Sequence, residues 1–307
     1  MLKWSALMRG LVSRSADLLG PPDARCLVCG ERRRGKPAGT PDGLRLGDWL
    51  CAGCLMCIPW IRRPVCPRCG RAVFCPDCVR QPVRAFEMNR SAVRYSEDMK
   101  KWLALYKFRG DERFGGLLAE MLVPAYERLT AEVSALAPGE SRVSVSEARF
   151  ANRRSPSGGH ASSRGPASFF GLPGRIWHAV TYAPASRERA EERGFNQAER
   201  FARAVAMRAD APVLGLIRRL RDGGKQSQRG RAERLRAMRA VFGPDEAGIR
   251  QLARMAARAG HKHEEPLRIL LVDDIYTTGA TAEACAEAIR GASPCPVRIY
   301  VLTWARS

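Results

Sequence analysis

The sequence has no apolar run long enough to span a bilayer, and it carries little negative charge for its length. Of its 307 residues, 31 are acidic and 52 are Lys or Arg, so the formal net charge at pH 7 is +21. The first absence argues against a transmembrane helix. The second predicts a polyanionic substrate or partner, nucleic acid first among them, because the charge excess is far larger than solubility needs.

The first residues lack the features of a secretory signal. Between Met1 and Leu19 the apolar residues alternate with Lys3, Arg9 and Arg14, and there is no continuous apolar centre or small-residue cleavage site. The pattern predicts an N-terminal amphipathic helix within residues 1–22 that packs on the body of the protein. We therefore expect a cytoplasmic protein.

Cysteine is scarce over most of the chain, since nine of the eleven lie between residues 26 and 78. Eight of them form four Cys-x-x-Cys pairs, namely Cys26 with Cys29, Cys51 with Cys54, Cys66 with Cys69, and Cys75 with Cys78. Two such pairs can surround one ion, so the spacing predicts two structural zinc sites in a double ribbon over residues 23–85. Cys57 continues the spacing of the second pair and could replace Cys54, although a free thiol on a helix is the favoured interpretation.

The most informative stretch runs from Ile269 to Thr281. Four apolar residues predict a strand buried on both faces, and Asp273 and Asp274 stand at its predicted end. The loop that leads from there into a predicted helix contains Thr277, Thr278, Gly279, Ala280 and Thr281. Such junctions bind phosphate through backbone N–H groups and the helix dipole, while carboxylates accept from sugar hydroxyls or hold magnesium. The stretch therefore predicts a sugar-phosphate site.

Other polar and cationic residues are candidates for contact with a diphosphate or with DNA. The segment from Arg218 to Arg239 has nine cations against two anions, which predicts a positive face, with a solvated helix as the alternative. A second strand-to-helix junction follows a predicted strand at residues 176–183. The candidates are Lys107, Ser186, Arg187, Arg193, Gln197, Arg229, Arg231 and Arg236. For Lys107 the alternative is an ordinary solvated helix end.

Residues 137–174 are rich in Ser, Gly, Pro and Arg, and they predict a flexible insertion. Around this segment, predicted strands alternate with predicted helices. We therefore expect a doubly wound parallel-sheet α/β domain over residues 90–307, with helices on both faces and ligand at the carboxyl ends of the strands. Its core is expected to exclude the ribbon thiols, so that the domain should survive removal of zinc.

The acids and Thr-rich loop resemble the ribose-phosphate signature of type I phosphoribosyltransferases, which use 5-phosphoribosyl 1-diphosphate (PRPP). Together with the cysteine pairs, the motifs resemble the ComF family of competence proteins over nearly the whole chain. These motifs are Tyr95, Tyr106 to Asp111, Glu192 to Gln197, Gln226 with Glu233 and Arg234, and Leu271 to Thr281. The chain departs from the family at Ala183, at Tyr276 and in its long insertion.

The resemblance implies a double zinc ribbon joined to a phosphoribosyltransferase-type domain. It assigns Asp273 and Asp274 to the ribose hydroxyls and to catalysis, and residues 277–281 to the 5-phosphate of magnesium-bound PRPP. One implied function is a phosphoribosyltransferase that acts with protein partners in DNA uptake during natural transformation. The other is a non-catalytic module that keeps the fold and binds single-stranded DNA.

Overall fold

A computed structural model describes residues 25–33, 44–80, 83–109, 112–136, 176–221, 240–261 and 265–307. In these residues a cysteine-rich region precedes an α/β body with a central parallel sheet. The predicted N-terminal helix in residues 1–22 and the predicted insertion at 137–174 lie outside the described residues. The same is true of Arg229, Arg231 and Arg236.

In the described part of the body, one or two helices separate successive strands, except that the fourth strand follows the third. The helices are α1 (Ala52–Met56), α2 (Pro76–Arg80), α3 (Glu97–Arg109), α4 (Glu112–Leu136), α5 (Arg187–Arg193), α6 (Gln197–Ala209), α7 (Glu246–Arg258) and α8 (Ala280–Ala292). The strands are β1 (Met88–Arg94), β2 (Ala179–Tyr182), β3 (Ile217–Arg219), β4 (Phe242–Pro244), β5 (Leu267–Tyr276) and β6 (Val297–Arg306). Four strands form a parallel sheet in the order β1-β6-β5-β2, and β3 pairs with β4 in a separate antiparallel ribbon.

Two layers of helices bury the two faces of the parallel sheet. Because neighbouring strand residues point to opposite faces, Leu270 and Val272 of β5 lie in one core, which includes helices α4 and α6. Ile269 and Leu271 lie in the other core, which includes α7 and α8. The doubly wound α/β prediction is therefore confirmed.

Strand β5 continues past the point where the apolar pattern ends. The acids were expected at the end of the strand, but β5 runs on through them to Tyr276. Pairing with β6 explains the difference, because Asp273 lies opposite Thr303 and Ile275 lies opposite Ala305. The hydrogen bonds of this neighbour outweigh the low strand preference of two consecutive carboxylates.

The cysteine-rich region packs directly on the α/β body. Cys26 is buried in the core that holds α4, and Cys66 and Cys69 are buried in the core that holds α8. The expectation that the core of the body excludes the ribbon thiols is therefore wrong. On each face of the sheet, residues of the ribbon therefore complete the core together with the described helices.

The ribbon also covers the outer edge of the sheet. The Ile61 N–H donates to the Ala92 carbonyl, and the Arg94 N–H donates to the Pro59 carbonyl, both at 2.9 Å. This short antiparallel pairing satisfies backbone groups that a bare edge strand would expose. In the part of the chain that the structure describes, no helix combines the length and the apolar character needed to cross a membrane.

Candidate functional site

Four thiols come together in each of two clusters. The ligand atoms lie within 4.8 Å of one another in the first cluster (Cys26, Cys29, Cys51 and Cys54) and in the second cluster (Cys66, Cys69, Cys75 and Cys78). The Sγ atoms of Cys29 and Cys51 are 3.6 Å apart, and those of Cys69 and Cys75 are 3.5 Å apart. Thiolates around a tetrahedral zinc ion lie about 3.8 Å from one another, so both donor sets fit zinc.

The turns after the first cysteine of each cluster have the same backbone geometry. Gly30 and Gly70 have φ of 74° and 69°, and their N–H groups donate to the carbonyls of Cys26 and Cys66 at 2.9 and 3.0 Å. In the first cluster, backbone N–H groups also point at the sulfur of Cys26. Burial acts to raise the pKa of Cys26, but hydrogen bonds from the backbone of Cys29, Cys51 and Val28 outweigh it and bring the pKa to about 7. A thiolate at neutral pH is the form that binds zinc.

Cys57 lies outside both clusters. It is exposed at the C-terminal end of α1, whereas Cys54 joins the first cluster. Each cluster thus has four protein ligands and no open position, which is the arrangement of a structural zinc site.

The two acids lie at the carboxyl end of the parallel sheet. Asp273 is half-buried, and its Oδ1 accepts from the Asp274 N–H at 2.8 Å. Burial and the neighbouring charge of Asp274 raise the pKa of Asp273 well above its usual range. Lys107, from the last turn of α3, forms an ion pair with the Asp274 carboxylate. The structure thus places Lys107, a candidate diphosphate contact, directly at the acids.

The Thr-rich loop connects β5 to the N-terminus of α8. Gly279 is the residue before the helix, with φ of 82°, and a Cβ at this position would overlap the Tyr276 hydroxyl. The side chains of Thr277 and Thr278 are exposed, and the Thr278 hydroxyl accepts from the Ala280 N–H at 3.4 Å. The loop therefore presents hydroxyls and a helix N-terminus to solvent beside the acids, an arrangement suited to phosphate.

Tyr276 lies beneath this loop. It is 3% exposed, and its ring meets Phe86 edge-on at 6.3 Å. The ring also contacts Arg306, whose guanidinium lies 4.6 Å from the ring centre. Arg306 was not among the sequence candidates, because it belongs to no motif and reaches the loop only through the pairing of β6 with β5.

The second strand-to-helix junction begins beside the acids. The Ala183 N–H donates to the Val272 carbonyl at 3.0 Å, so the chain leaves β2 next to Asp273. Beyond it, Ser186 is buried, and Arg193 Nη1 donates to Gln197 Oε1 at 3.2 Å. The side chain of Arg187 lies outside the described residues, although its backbone opens α5.

The structure also describes the first residues of the basic segment and a histidine next to β2. Arg218 and Arg219 belong to β3, which packs with β4 against α8, and the rest of the basic segment connects these two strands. His178 precedes β2 at the opposite end of the sheet, where its Nδ1 accepts from the Arg268 N–H at 2.9 Å. Burial lowers the pKa of His178 to about 4, so it is a neutral residue remote from the acids.

The protein is an α/β protein with a parallel sheet and two four-cysteine clusters. Two acids before a Thr-rich loop lie at the carboxyl end of that sheet. Competence protein ComFC of Bacillus subtilis (strain 168) is 26% identical to the chain over 255 residues, which is 80% of each protein. The chain is a distant homologue of ComFC, which confirms the family resemblance. No family model and no solved structure matches the sequence.

Proposed function

We propose that this ComFC-like protein binds PRPP with magnesium and acts in DNA uptake. The observation that carries the proposal is the placement of Asp273, Asp274 and the loop 277–281 at one edge of the sheet. Similarity to a competence protein supports the pathway. Reduced zinc thiolates and a PRPP substrate both fit a cytoplasmic setting.

The acid pair suits a ribose and a divalent cation. Two adjacent carboxylates repel each other, and burial adds to the cost of charging Asp273. Ribose hydroxyls or magnesium would offset that cost by supplying donors or positive charge. Lys107 forms an ion pair with Asp274, so it offsets part of the negative charge at the two acids.

The loop and the second junction suit the two phosphate ends of PRPP. The exposed Thr277 and Thr278 hydroxyls and the N-terminus of α8 would bind the 5-phosphate. Ser186, shortly after β2, and Arg193, at the end of α5, are the candidate contacts for the diphosphate. In pentosyl transfer the bond from the anomeric carbon to the diphosphate breaks, and Arg193 would stabilise the negative charge of the leaving group.

Calorimetric titration with PRPP and magnesium tests this assignment. Binding should be lost when Asp273→Asn and Asp274→Asn are combined, and Thr278→Ala should weaken it. Each charged hydrogen bond removed costs about 1.5–3 kcal/mol, roughly ten- to a hundredfold in affinity. Asp98→Asn, an exposed acid on α3, is the matched control and should bind like the parent. Parental affinity in the double variant would refute the assignment of the acids.

Single-stranded DNA binding is a second candidate function. The net charge of +21 favours a polyanion. Phe74 is 72% exposed, and the same cysteine-rich region carries the exposed Arg62, Arg63 and Arg80. An exposed aromatic among cations can stack on an unpaired base while the cations contact phosphates. Trp60 is less suitable, because it is half-buried and pairs with Val93.

Fluorescence anisotropy with a labelled single strand, repeated at several salt concentrations, tests the DNA candidate. Binding should weaken steeply with salt, and replacing Arg229, Arg231 and Arg236 together by Ala should flatten the slope. The control removes equal charge from an exposed face of α7, by replacing Arg250, Arg254 and Arg258. Equal slopes in the two triple variants would mean that net charge, and not the basic segment, governs binding. No PRPP binding with intact DNA binding would favour the non-catalytic module.

A further inference from the structure

We infer that Arg306 is a positioning residue that couples the second cysteine cluster to the Thr-rich loop, so that metal in this cluster prepares the loop for phosphate. The inference rests on the proposed sugar-phosphate function for its consequence, although not for the contacts themselves. Arg306 is the penultimate residue of the sequence and the last residue of β6, and it is 5% exposed. Its guanidinium thus bridges the loop and the cluster from a buried position.

The first step is the bond of Arg306 to the loop backbone. Its Nη1 donates to the Thr277 carbonyl at 2.8 Å and to the Tyr276 carbonyl at 3.3 Å. These two carbonyls mark the point where β5 becomes the loop. A buried guanidinium that binds both of them fixes the direction in which the loop leaves the sheet.

The second step is the bond of the same guanidinium to a zinc ligand. Arg306 Nη2 donates to Cys69 Sγ at 3.4 Å. A thiolate on zinc keeps negative charge, and such outer hydrogen bonds orient metal ligands and are in turn oriented by them. Metal in the second cluster therefore fixes Cys69, and Cys69 fixes Arg306.

Tyr276 carries the same constraint to the far end of the loop. Its ring is held between Phe86 and the Arg306 guanidinium, and its hydroxyl lies where a Cβ of Gly279 would be. Gly279 precedes the first turn of α8, whose N–H groups would bind phosphate. Both ends of the loop thus rest on groups held by Arg306.

A separate set of contacts joins the segment after the second cluster to α8. The Ala85 N–H donates to Glu283 Oε1 at 3.0 Å, and Arg290 Nη1 donates to the Ala85 carbonyl at 3.2 Å. Arg84 lies 3.8 Å from the Glu283 carboxylate, and both side chains are buried. The helix that begins at the loop is therefore attached to the ribbon independently of Arg306.

The first cluster offers no such connection in the contacts of the described residues. It packs in the core of α4, where Trp49 lies 3.3 Å from the position of a Cβ on Gly116. Loss of metal from the first cluster should therefore leave the loop unchanged. The coupling is specific to the second cluster.

Hydrogen exchange of the free protein tests the coupling without any ligand. Arg306→Met should keep two zinc ions and speed exchange of the amides at residues 277–282 about tenfold, because the variant loses charged hydrogen bonds to the loop. PRPP affinity with magnesium should fall by about the same factor. Arg306→Lys should restore part of both effects, and Arg298→Met, on the exposed face of β6, should change neither.

Cadmium NMR of the unaltered sequence provides a test that no folding defect can affect. With cadmium in place of zinc, PRPP and magnesium should shift the resonance of the second cluster and leave that of the first unchanged, because coupling is reciprocal. Cys29→Ser would identify the resonance of the first cluster. Unchanged loop exchange in a folded Arg306→Met protein with two zinc ions would overturn the inference. If the parent does not bind PRPP, the exchange result still decides whether Arg306 holds the loop, while the proposed function fails by itself.

Discussion

The two cysteine clusters have the same ligands and the same Cys-x-x-Cys-Gly turn, but they lie in different surroundings. In the first cluster Cys29 is exposed and two further thiols are half-buried, on the side of the sheet that α4 covers. In the second cluster three of the four thiols are buried, against β1, Arg306 and the loop after β5. One type of metal site thus serves two structural purposes.

The difference shows that similar spacing does not imply a similar contribution to the fold. The first cluster attaches the ribbon to a helix layer. The second cluster is part of a core, because Cys66, Cys69 and Cys75 are buried with Leu271 and Tyr276. The sequence assigns both to one small domain, whereas the packing places them on opposite faces of the sheet.

Removing one ligand from each cluster should give the largest contrast. A structural zinc site contributes about 10 kcal/mol or more to folding, so Cys69→Ser should prevent the whole α/β body from folding stably. Cys29→Ser should leave a folded body with one zinc ion, since its cluster lies at the surface. Elemental analysis with thermal unfolding measures both outcomes.

Cys57→Ser, outside both clusters, is the control and should change neither zinc content nor stability. Equal loss of stability in Cys29→Ser and Cys69→Ser would mean that the two clusters are equivalent supports. That result would contradict the contrast drawn from their burial.

The turn glycines offer a smaller and more local contrast. Both have positive φ, so replacement by Ala costs about 1 kcal/mol of backbone strain at either position. At Gly30 a Cβ meets nothing within 4 Å, whereas at Gly70 it would lie 2.6 Å from the Asn89 carbonyl oxygen of β1. We expect Gly70→Ala to cost about 3 kcal/mol and Gly30→Ala about 1 kcal/mol. Urea unfolding measures both losses of unfolding free energy. Equal losses in the two variants would show that the turn at Gly70 does not pack tightly against β1.

Acid should release zinc from both clusters. The protonation of His178 should add a second, separate loss of stability at low pH. Burial, with repulsion from Arg268 and His261, lowers the pKa of His178 to about 4. Because the pKa is lower in the folded than in the unfolded protein, His178 leaves the free energy of unfolding unchanged above pH 6.5. As the pH falls from 6.5 through about 4, protonation favours the unfolded chain and this free energy decreases. The loss amounts to at most about 3 kcal/mol.

In His178→Asn the side-chain oxygen still accepts from the Arg268 N–H. We expect this variant to lose less stability than the parent between pH 6.5 and 4, measured by urea unfolding at fixed zinc. An identical pH profile would assign the acid sensitivity to the clusters alone.

Chelation should distinguish the clusters by rate. The exposed first cluster should lose zinc about tenfold faster than the buried second cluster, because a chelator reaches Cys29 without unfolding. A colorimetric chelator should report two phases of equal amplitude. The fast phase should be absent from Cys29→Ser, and its persistence there would reverse the assignment.

Local patterns predicted the parts of this molecule that depend on neighbouring residues. Four Cys-x-x-Cys pairs indicate metal clusters, because each pair brings two thiols to one turn. The apolar run before Asp273 and the helical pattern after Gly279 likewise indicate the strand, loop and helix that the structure shows. The DNA, PRPP and magnesium assignments remain predictions from these patterns and from the family.

Local patterns did not predict the contacts between residues that are far apart in the sequence. Arg306 carries no motif, and only the register of β6 against β5 brings it to Tyr276. The burial of Cys69 depends on the packing of the ribbon on β1. There Asn89, twenty residues further along the chain, donates to the Cys69 carbonyl. Sequence spacing specifies the ligands of a metal, but it does not specify the surface on which the cluster packs.

Strand β5 extends through both acids, and this has a consequence for how the site can be controlled. Consecutive strand residues point to opposite faces, so Asp273 faces the layer of α8. There burial, and after it the charge of Asp273, raise the pKa of the Cys285 thiol. Asp274 faces the layer of α3, where it meets Lys107 and raises the pKa of Tyr95 after burial has done so. The two carboxylates therefore interact with side chains of different helix layers. A change in either helix layer therefore acts first on one acid, and it reaches the other acid through the repulsion between the two neighbouring carboxylates.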